Sequence, residues 1–390
     1  MQESHLIFSI FLIFAGAAVL STVALVARQS MLVAYVVLGI LLGPSVLGWV
    51  GNAETVQTIG DVGIIFLLFL LGLHLPPQKL FLMLKKLSLV GIVSSLIFLA
   101  IGFGVAYLFN YSIASCWVIG ASMMFSSTII GIKLLPTTIL HHQHTGEVMI
   151  GVLLFQDIVA IIALLLVHGA AGHGSSLLKL GGMVLIGFPV VCVIAFLLER
   201  FVIIKLLVKF DRVREYMFLV AIAWCLALSQ LASFFNLSGE IGAFVAGVVL
   251  ASSPIALYIA ESLRPIRDFF LVMFFFSVGA GFNLHYLPAV IAPALILVIL
   301  MMISKPVVYW YCLHKVGETK TVSWEVGVRL SQISEFSLII AAMAFEGKII
   351  TSDALYLVQA VTIITFMISS YWVVMRYPTP LALDSKMQRD

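Results

Sequence analysis

The chain has 390 residues, of which 62% are hydrophobic and 10% charged, with a mean hydropathy of +1.18 and a formal net charge of +3. No water-soluble core needs so much apolar surface, so the composition excludes a soluble globular protein and points to a polytopic membrane protein. The small positive balance reflects how basic residues are shared between loops, and implies no nucleic-acid partner.

Lipid-exposed backbone must satisfy its own hydrogen bonds, so the apolar segments read as helices and the fold class as all-α. Thirteen such segments lie near residues 5–26, 31–49, 59–75, 86–109, 114–135, 146–168, 180–203, 215–233, 237–253, 266–283, 286–311, 323–345 and 354–376. The first follows Met1-Gln-Glu-Ser-His5, which has no basic stretch, and no convincing small-residue cleavage site precedes Arg28. It reads as a retained span rather than a signal peptide. The third segment is short and opens at Asp61, a carboxylate suited to the positive end of a helix. The ninth is also short and opens similarly, with Glu240 after Ser238 and Gly239 as capping residues.

The fifth segment is polar at its centre, where Ser126, Ser127 and Thr128 precede Gly131. Small hydroxylated residues recapture backbone groups freed where a helix breaks, and they equally serve helix–helix packing. His141, His142 and His144 follow, ahead of Glu147; they read as a solvated cytoplasmic cluster titrating near neutral pH rather than a metal site. The sixth segment holds the costliest residue of the chain. Asp157, beside Gln156, sits in an otherwise apolar run over 152–167. A carboxylate at that depth costs about 2.5–3.5 kcal/mol on insertion scales, and the default explanation is a site for a cation or a proton.

The seventh segment leads into the most basic loop, residues 199–215, which divides six spans from six. Six spans, a linker span and six more suit an inverted-repeat transporter. The expected first repeat covers about 1–170, the linker span 180–203 and the second repeat about 215–376, within a transmembrane domain 1–378 followed by a short cytoplasmic tail, 379–390. In the eleventh segment Lys305 precedes Pro306, which is expected to kink the helix. Lys305 is placed either to pair with Asp157 and exchange partners with a transported cation, or to snorkel from the span. A desolvated lysine can also carry a proton itself. The twelfth segment stands in the position equivalent to the fifth and is again polar, with Ser331, Gln332, Ser334, Glu335 and Ser337. That coincidence favours a broken helix in each half. Glu325 and Arg329, four residues apart, are expected to form a structural ion pair, and Glu335 reads as a site carboxylate or a gate residue.

Basic residues orient the chain. Alternating sides from the N-terminus leaves Lys179 and Lys348 on one side and 17 Lys and Arg on the other, so the N-terminus is expected outside and the C-terminus in the cytoplasm. The cysteines at 116, 192, 225 and 312 lack metal or redox spacing and read as packing residues. Neither a Gly-x-Gly-x-x-Gly fingerprint nor a Walker motif occurs, so transport would run on an ion gradient and no cofactor is expected. Without paired catalytic aspartates or His-Glu-x-x-His, an intramembrane enzyme is not the reading.

Several motifs in order resemble one family. Leu38-Gly-Ile-Leu-Leu-Gly-Pro-Ser-Val-Leu-Gly48, residues 60–75, Ser126-Ser-Thr128, Leu153-Leu-Phe-Gln-Asp-Ile158, residues 242–252 and Ser331-Gln-Ile-Ser-Glu-Phe336 resemble the monovalent cation:proton antiporter-2 family, above all the membrane domain of Kef-type potassium/proton antiporters. The resemblance implies an elevator-like fold with a dimerisation domain and a core containing two crossing broken helices, here segments 5 and 12. It implies Asp157 as the ion-binding carboxylate, Ser127 and Thr128 at the first crossing, and Gln332, Ser334 and Glu335 at the second. Lys305 falls where related sodium/proton antiporters place a lysine beside that carboxylate.

Three departures from the family pattern matter. Gln156 replaces the first acid of the Asp-Asp pair in electrogenic relatives, which fits one-for-one exchange. His74 replaces an acid at the end of the third span and is a candidate pH-responsive group. The cytoplasmic nucleotide-binding domain that usually follows in Kef-type proteins is not expected. The resulting expectation is a secondary transporter of a bacterial inner membrane. It would exchange a monovalent cation, potassium ahead of sodium, for protons as a homodimer in the lipid bilayer, with room for a separate cytoplasmic regulatory subunit. Gln156, Thr128 and the broken helices would supply oxygens to a cation bound at Asp157. A cation channel or leak pathway, and a non-transporting membrane sensor or partner subunit, are the alternatives.

Overall fold

A computed structural model describes residues 2–27, 29–50, 53–73, 77–135, 144–171, 177–210, 213–235, 237, 239–253 and 255–379. His74, His141, His142, Ser238 and the tail from 380 lie outside the described residues, as do the side chains of Asp61 and Lys133.

The regular elements are helical, and every apolar segment read from the sequence holds helix. They are α1 (Gln2–Val26), α2 (Met31–Leu42), α3 (Ala53–Leu73), α4 (Pro77–Leu108), α5 (Ile113–Met123), α6 (Thr128–Lys133), α7 (His144–Ala171), α8 (Leu177–Leu198), α9 (Ile204–Lys209), α10 (Arg214–Phe234), α11 (Gly239–Leu250), α12 (Ala256–Ser262), α13 (Arg264–Ala280), α14 (Leu287–Lys315), α15 (Lys320–Arg329), α16 (Glu335–Glu346) and α17 (Ser352–Arg376). Among the described residues seven helical stretches are long and apolar enough to cross a membrane, and three shorter helices, including α2 and α11, are also apolar. The second segment, read as 31–49, is helical only to Leu42, and Gly43 is extended. The proline that follows disfavours helical backbone at the residue before it.

The helices form two compact units. One comprises residues 1–51, 83–163 and 278–390, and the other 52–82 and 164–277. Each unit therefore draws on both halves of the chain. In the first, α14 packs on α15 and α17, and α16 packs on α5 and α17. Lys305 and Pro306 lie within α14, which continues to Lys315. Beside that proline, Gly327 lets α15 approach closely, since a Cβ there would lie 2.7 Å from the Pro306 carbonyl oxygen.

In the second unit the short α11 packs on α3, α10 and α8. The α3–α11 crossing is backbone against backbone. A Cβ at Gly247 would stand 2.1 Å from the Phe69 carbonyl oxygen, and one at Gly72 would stand 2.5 Å from that of Phe244. Small residues permit this approach where apolar burial alone drives no association. Gly247→Val is therefore expected to destabilise this unit by roughly 1–3 kcal/mol through overpacking. The check is the thermal midpoint of the detergent-purified variant, and an unchanged midpoint would contradict the packing.

Candidate ion-binding site

Two interrupted helices build the site. The first runs as α5, leaves helical geometry over residues 124–127, and resumes as α6 at Thr128. The second runs as α15, breaks over 330–334, and resumes as α16 at Glu335. Local chemistry sets both restarts. Ser127 Oγ accepts the Ile130 N–H at 3.1 Å, and Ser334 Oγ accepts the Phe336 N–H at 3.1 Å. Each serine thus satisfies a donor that a starting helix leaves unpaired.

Polar contacts tie the two breaks together. Ser126 Oγ donates to the Leu330 carbonyl at 2.8 Å, and Gln332 Nε2 donates to the Ser127 carbonyl at 3.3 Å. Ser337 Oγ donates to the Ser122 carbonyl, and the Ile129 N–H reaches Glu335 Oε1 at 3.4 Å. The expected crossing of segments 5 and 12 is present.

Asp157, on α7, meets this crossing with 1% of its surface exposed. Thr128 Oγ1 lies 3.1 Å from Oδ1 and 3.3 Å from Oδ2 of Asp157. Glu335 is equally buried and close enough for its charge to act on Asp157. Its other oxygen is 3.5 Å from Ser334 Oγ. Both carboxylates therefore stand by the first residues of α6 and α16, where the backbone presents unpaired N–H groups and positive dipole ends. The crossing brings Glu335, read from the sequence as a site carboxylate or a gate residue, to Asp157 from the other half of the chain.

Lys305 is the electrostatic counterpart. Its ammonium, on a fully buried side chain, donates to the Phe125 carbonyl at 2.6 Å, the Gln332 carbonyl at 3.0 Å and Ser126 Oγ at 3.2 Å. It also lies 5.4 Å from the centre of the Phe98 ring. The carbonyls belong to the two breaks, just beyond the negative ends of α5 and α15. The pairing with Asp157 considered from the sequence is not formed: no ion pair within 4.0 Å joins the two among the described residues. Nor does the lysine snorkel. It joins the two breaks from within the protein.

Gln156 is tied into the first break. Its Oε1 accepts the Ser126 N–H at 3.0 Å, and its Nε2 donates to the Met124 carbonyl at 3.0 Å and to the Tyr309 hydroxyl. The amide fastens the first break through both of its ends.

Other sequence-selected residues take structural positions. Arg329 and Glu325 form the expected ion pair at 2.9 Å. The same guanidinium donates to the Leu134 and Pro378 carbonyls, each at 3.1 Å, and so anchors the residues after α6 and after α17. His144 does not lie free in a loop. It begins α7, with Nε2 2.6 Å from Glu318 and Nδ1 3.5 Å from Glu147. Glu240 occupies the first turn of α11.

Sequence reasoning missed the supports supplied by α14 and α17. Tyr309 lies four residues after Lys305, on the same helical face. Ser369 Oγ donates to Gln332 Oε1 at 2.9 Å and accepts from Ser331 Oγ at 3.0 Å, while Thr365 Oγ1 accepts the Ile333 N–H at 3.2 Å. The spacing of Thr362, Thr365 and Ser369 along one face was the available signal.

Comparison with known proteins places this geometry in context. Residues 10–375 match the family described as sodium/hydrogen exchanger, transmembrane. K(+) efflux antiporter 5 of Arabidopsis thaliana is 30% identical over 361 residues, covering 89% of this chain and 63% of that protein. K(+) efflux antiporter 6 of the same plant is 28% identical over 341 residues, covering 83% and 56%. The chain thus spans about three fifths of the length of these relatives. The iron transporter MagA of Paramagnetospirillum magneticum is 26% identical over 352 residues, covering 89% of this chain and 80% of that protein. Among solved structures, the sodium proton antiporter MjNhaP1 from Methanocaldococcus jannaschii at pH 8 superposes with a TM-score of 0.67 at 15% identity, covering 98% of both chains. That likeness is one of fold.

Proposed function

The chain belongs to the transmembrane sodium/hydrogen exchanger family, and from that premise we propose that it exchanges a monovalent cation, preferentially potassium, for protons at Asp157. The observation that carries the proposal is the buried Asp157 carboxylate, bonded to Thr128 where two broken helices cross. An isolated carboxylate removed from water must be neutralised, and a proton or a dehydrated cation can each do this. One occupant excludes the other, which couples the two fluxes. Thr128 supplies an oxygen beside the carboxylate, and the open backbone of the breaks supplies more. Glu335, held by the Ile129 N–H and by Ser334, adds negative potential to the site, while Lys305 and Gln156 keep its walls in place.

The preference for potassium rests on the similarity to K(+) efflux antiporters and on an amide at position 156 in place of a second carboxylate of the central pair. The thirteen apolar helical segments form an inverted repeat in this proposal, with the N-terminus outside and the C-terminus cytoplasmic. The crossing carries the ion by elevator-like movement. The protein works as a homodimer in a bacterial inner membrane, where a separate cytoplasmic subunit can regulate it.

The test is cation-induced proton release in everted vesicles carrying the protein. Potassium is expected to discharge an imposed proton gradient at lower concentration than sodium, at each of several pH values. Flux that proceeds unchanged without any proton movement would replace the antiporter with a channel, and sodium acting at lower concentration than potassium would reverse the assigned preference.

A further inference from the structure

We propose that Tyr309 is a positioning residue for cation binding, acting through Gln156; this rests on the antiport reading of the Asp157 site. Tyr309 is fully buried on α14. Its ring stands edge-on to Phe98, with centres 5.4 Å apart, so the phenol has little freedom to move. The hydroxyl oxygen accepts one of the two N–H bonds of Gln156 Nε2.

The other two contacts of the Gln156 amide both go to the first break. They are the Ser126 N–H on Oε1 and the Met124 carbonyl on Nε2, with Ser126 itself tied through Oγ to Leu330 in the second break. These contacts fix which end of the amide is oxygen, because a peptide N–H can only donate and a carbonyl can only accept. They do not fix where the amide sits. Tyr309 does that, by joining the amide to a packed helix. Asp157 follows Gln156 directly on α7, and Thr128 lies two residues beyond Ser126. The phenol is therefore linked through Gln156 to both halves of the Asp157–Thr128 contact.

Removing the hydroxyl strands one buried N–H of Gln156. The nearest means of satisfying it is a movement of the amide, which takes the Met124–Ser126 backbone with it and loosens Thr128 against Asp157. Cation affinity should fall more than turnover, because the exchanging carboxylate itself is untouched. Lys305, one turn away on the same face, holds the breaks by their carbonyls, so the fold should survive.

The experiment is a double-mutant cycle of Tyr309→Phe with Gln156→Met, read in two ways. One is the potassium concentration that half-saturates proton release from everted vesicles. The other is the potassium concentration that half-saturates thermal stabilisation of the purified protein, which reports binding without transport. Tyr309→Phe alone is expected to raise both about tenfold, the equivalent of one buried hydrogen bond, with maximal flux nearly unchanged. In the Gln156→Met background the same substitution should have no further effect. An equal loss in both backgrounds would make Tyr309 a packing residue only, and no loss in either would remove it from the site. Should Gln156→Met fail to fold, hydrogen exchange at the Ser126 amide decides: it should quicken in Tyr309→Phe, and unchanged exchange overturns the proposal. Wild-type protein that binds potassium yet releases no protons would sink the antiport reading and leave the positioning role to be judged on binding alone.

Discussion

Asp157→Asn is expected to reduce cation-induced proton release in everted vesicles to the level of vesicles lacking the protein, while the protein still folds. The amide has the shape of the carboxylate and can keep a bond to Thr128 Oγ1, which lies 3.1 Å from the native oxygen. What it loses is the ability to carry a charge that a proton or a cation neutralises. Removing an uncompensated buried charge also relieves a folding cost, so the thermal midpoint should hold or rise. Retained exchange in a folded Asp157→Asn protein would falsify the mechanism.

The same chemistry sets the pH dependence of the wild type. Protons and cations compete for one carboxylate, so acidification must raise the cation concentration needed for half-saturation. For one exchanging proton the increase is about tenfold per pH unit within the competitive range. A slope near two would bring Glu335 into the exchange, which its burial beside Asp157 makes the specific alternative to measure.

The second large effect concerns Lys305→Met. The methionine keeps much of the apolar stem but strands the Phe125 and Gln332 carbonyls, now bonded at 2.6 and 3.0 Å. Each unsatisfied buried acceptor costs roughly 1–3 kcal/mol, and the negative ends of α5 and α15 lose a positive charge. Both thermal stability and flux should fall strongly. Lys305→Gln, which retains two donors, should lose less stability. A comparison with Asp157→Asn distinguishes this role from an ion pair. If Lys305 served mainly to neutralise Asp157, then Asp157→Asn would rescue the stability of Lys305→Met. The carbonyl contacts predict no rescue, because the stranded acceptors remain stranded.

Much of the site was legible because its cost is written locally. Asp157 stands out in an apolar run whatever its partners are. The polar centres of segments 5 and 12 announce helix breaks, because serine and threonine are the residues that repair freed backbone. Glu325 and Arg329 are four residues apart on one helix, and that spacing alone brings them together. The end of α2 was misplaced by several residues, since the extended Gly43 before Pro44 lies inside a stretch that is still apolar.

Sequence by itself determined an all-helical membrane chain, marked its costliest acidic residue and favoured two places for helix breaks, because these depend on the solvent and on backbone hydrogen bonding within a few residues. Tertiary structure alone decided the partners. Lys305 faces Phe125, 180 positions away, rather than the carboxylate considered as one of its alternatives. Gln156 is tied to the first break, 32 positions earlier at Met124, and Glu335 arrives at Asp157 from the opposite half of the chain. A buried polar group takes whichever donors and acceptors the packed helices bring within reach, and no local pattern along the chain encodes contacts made at that separation.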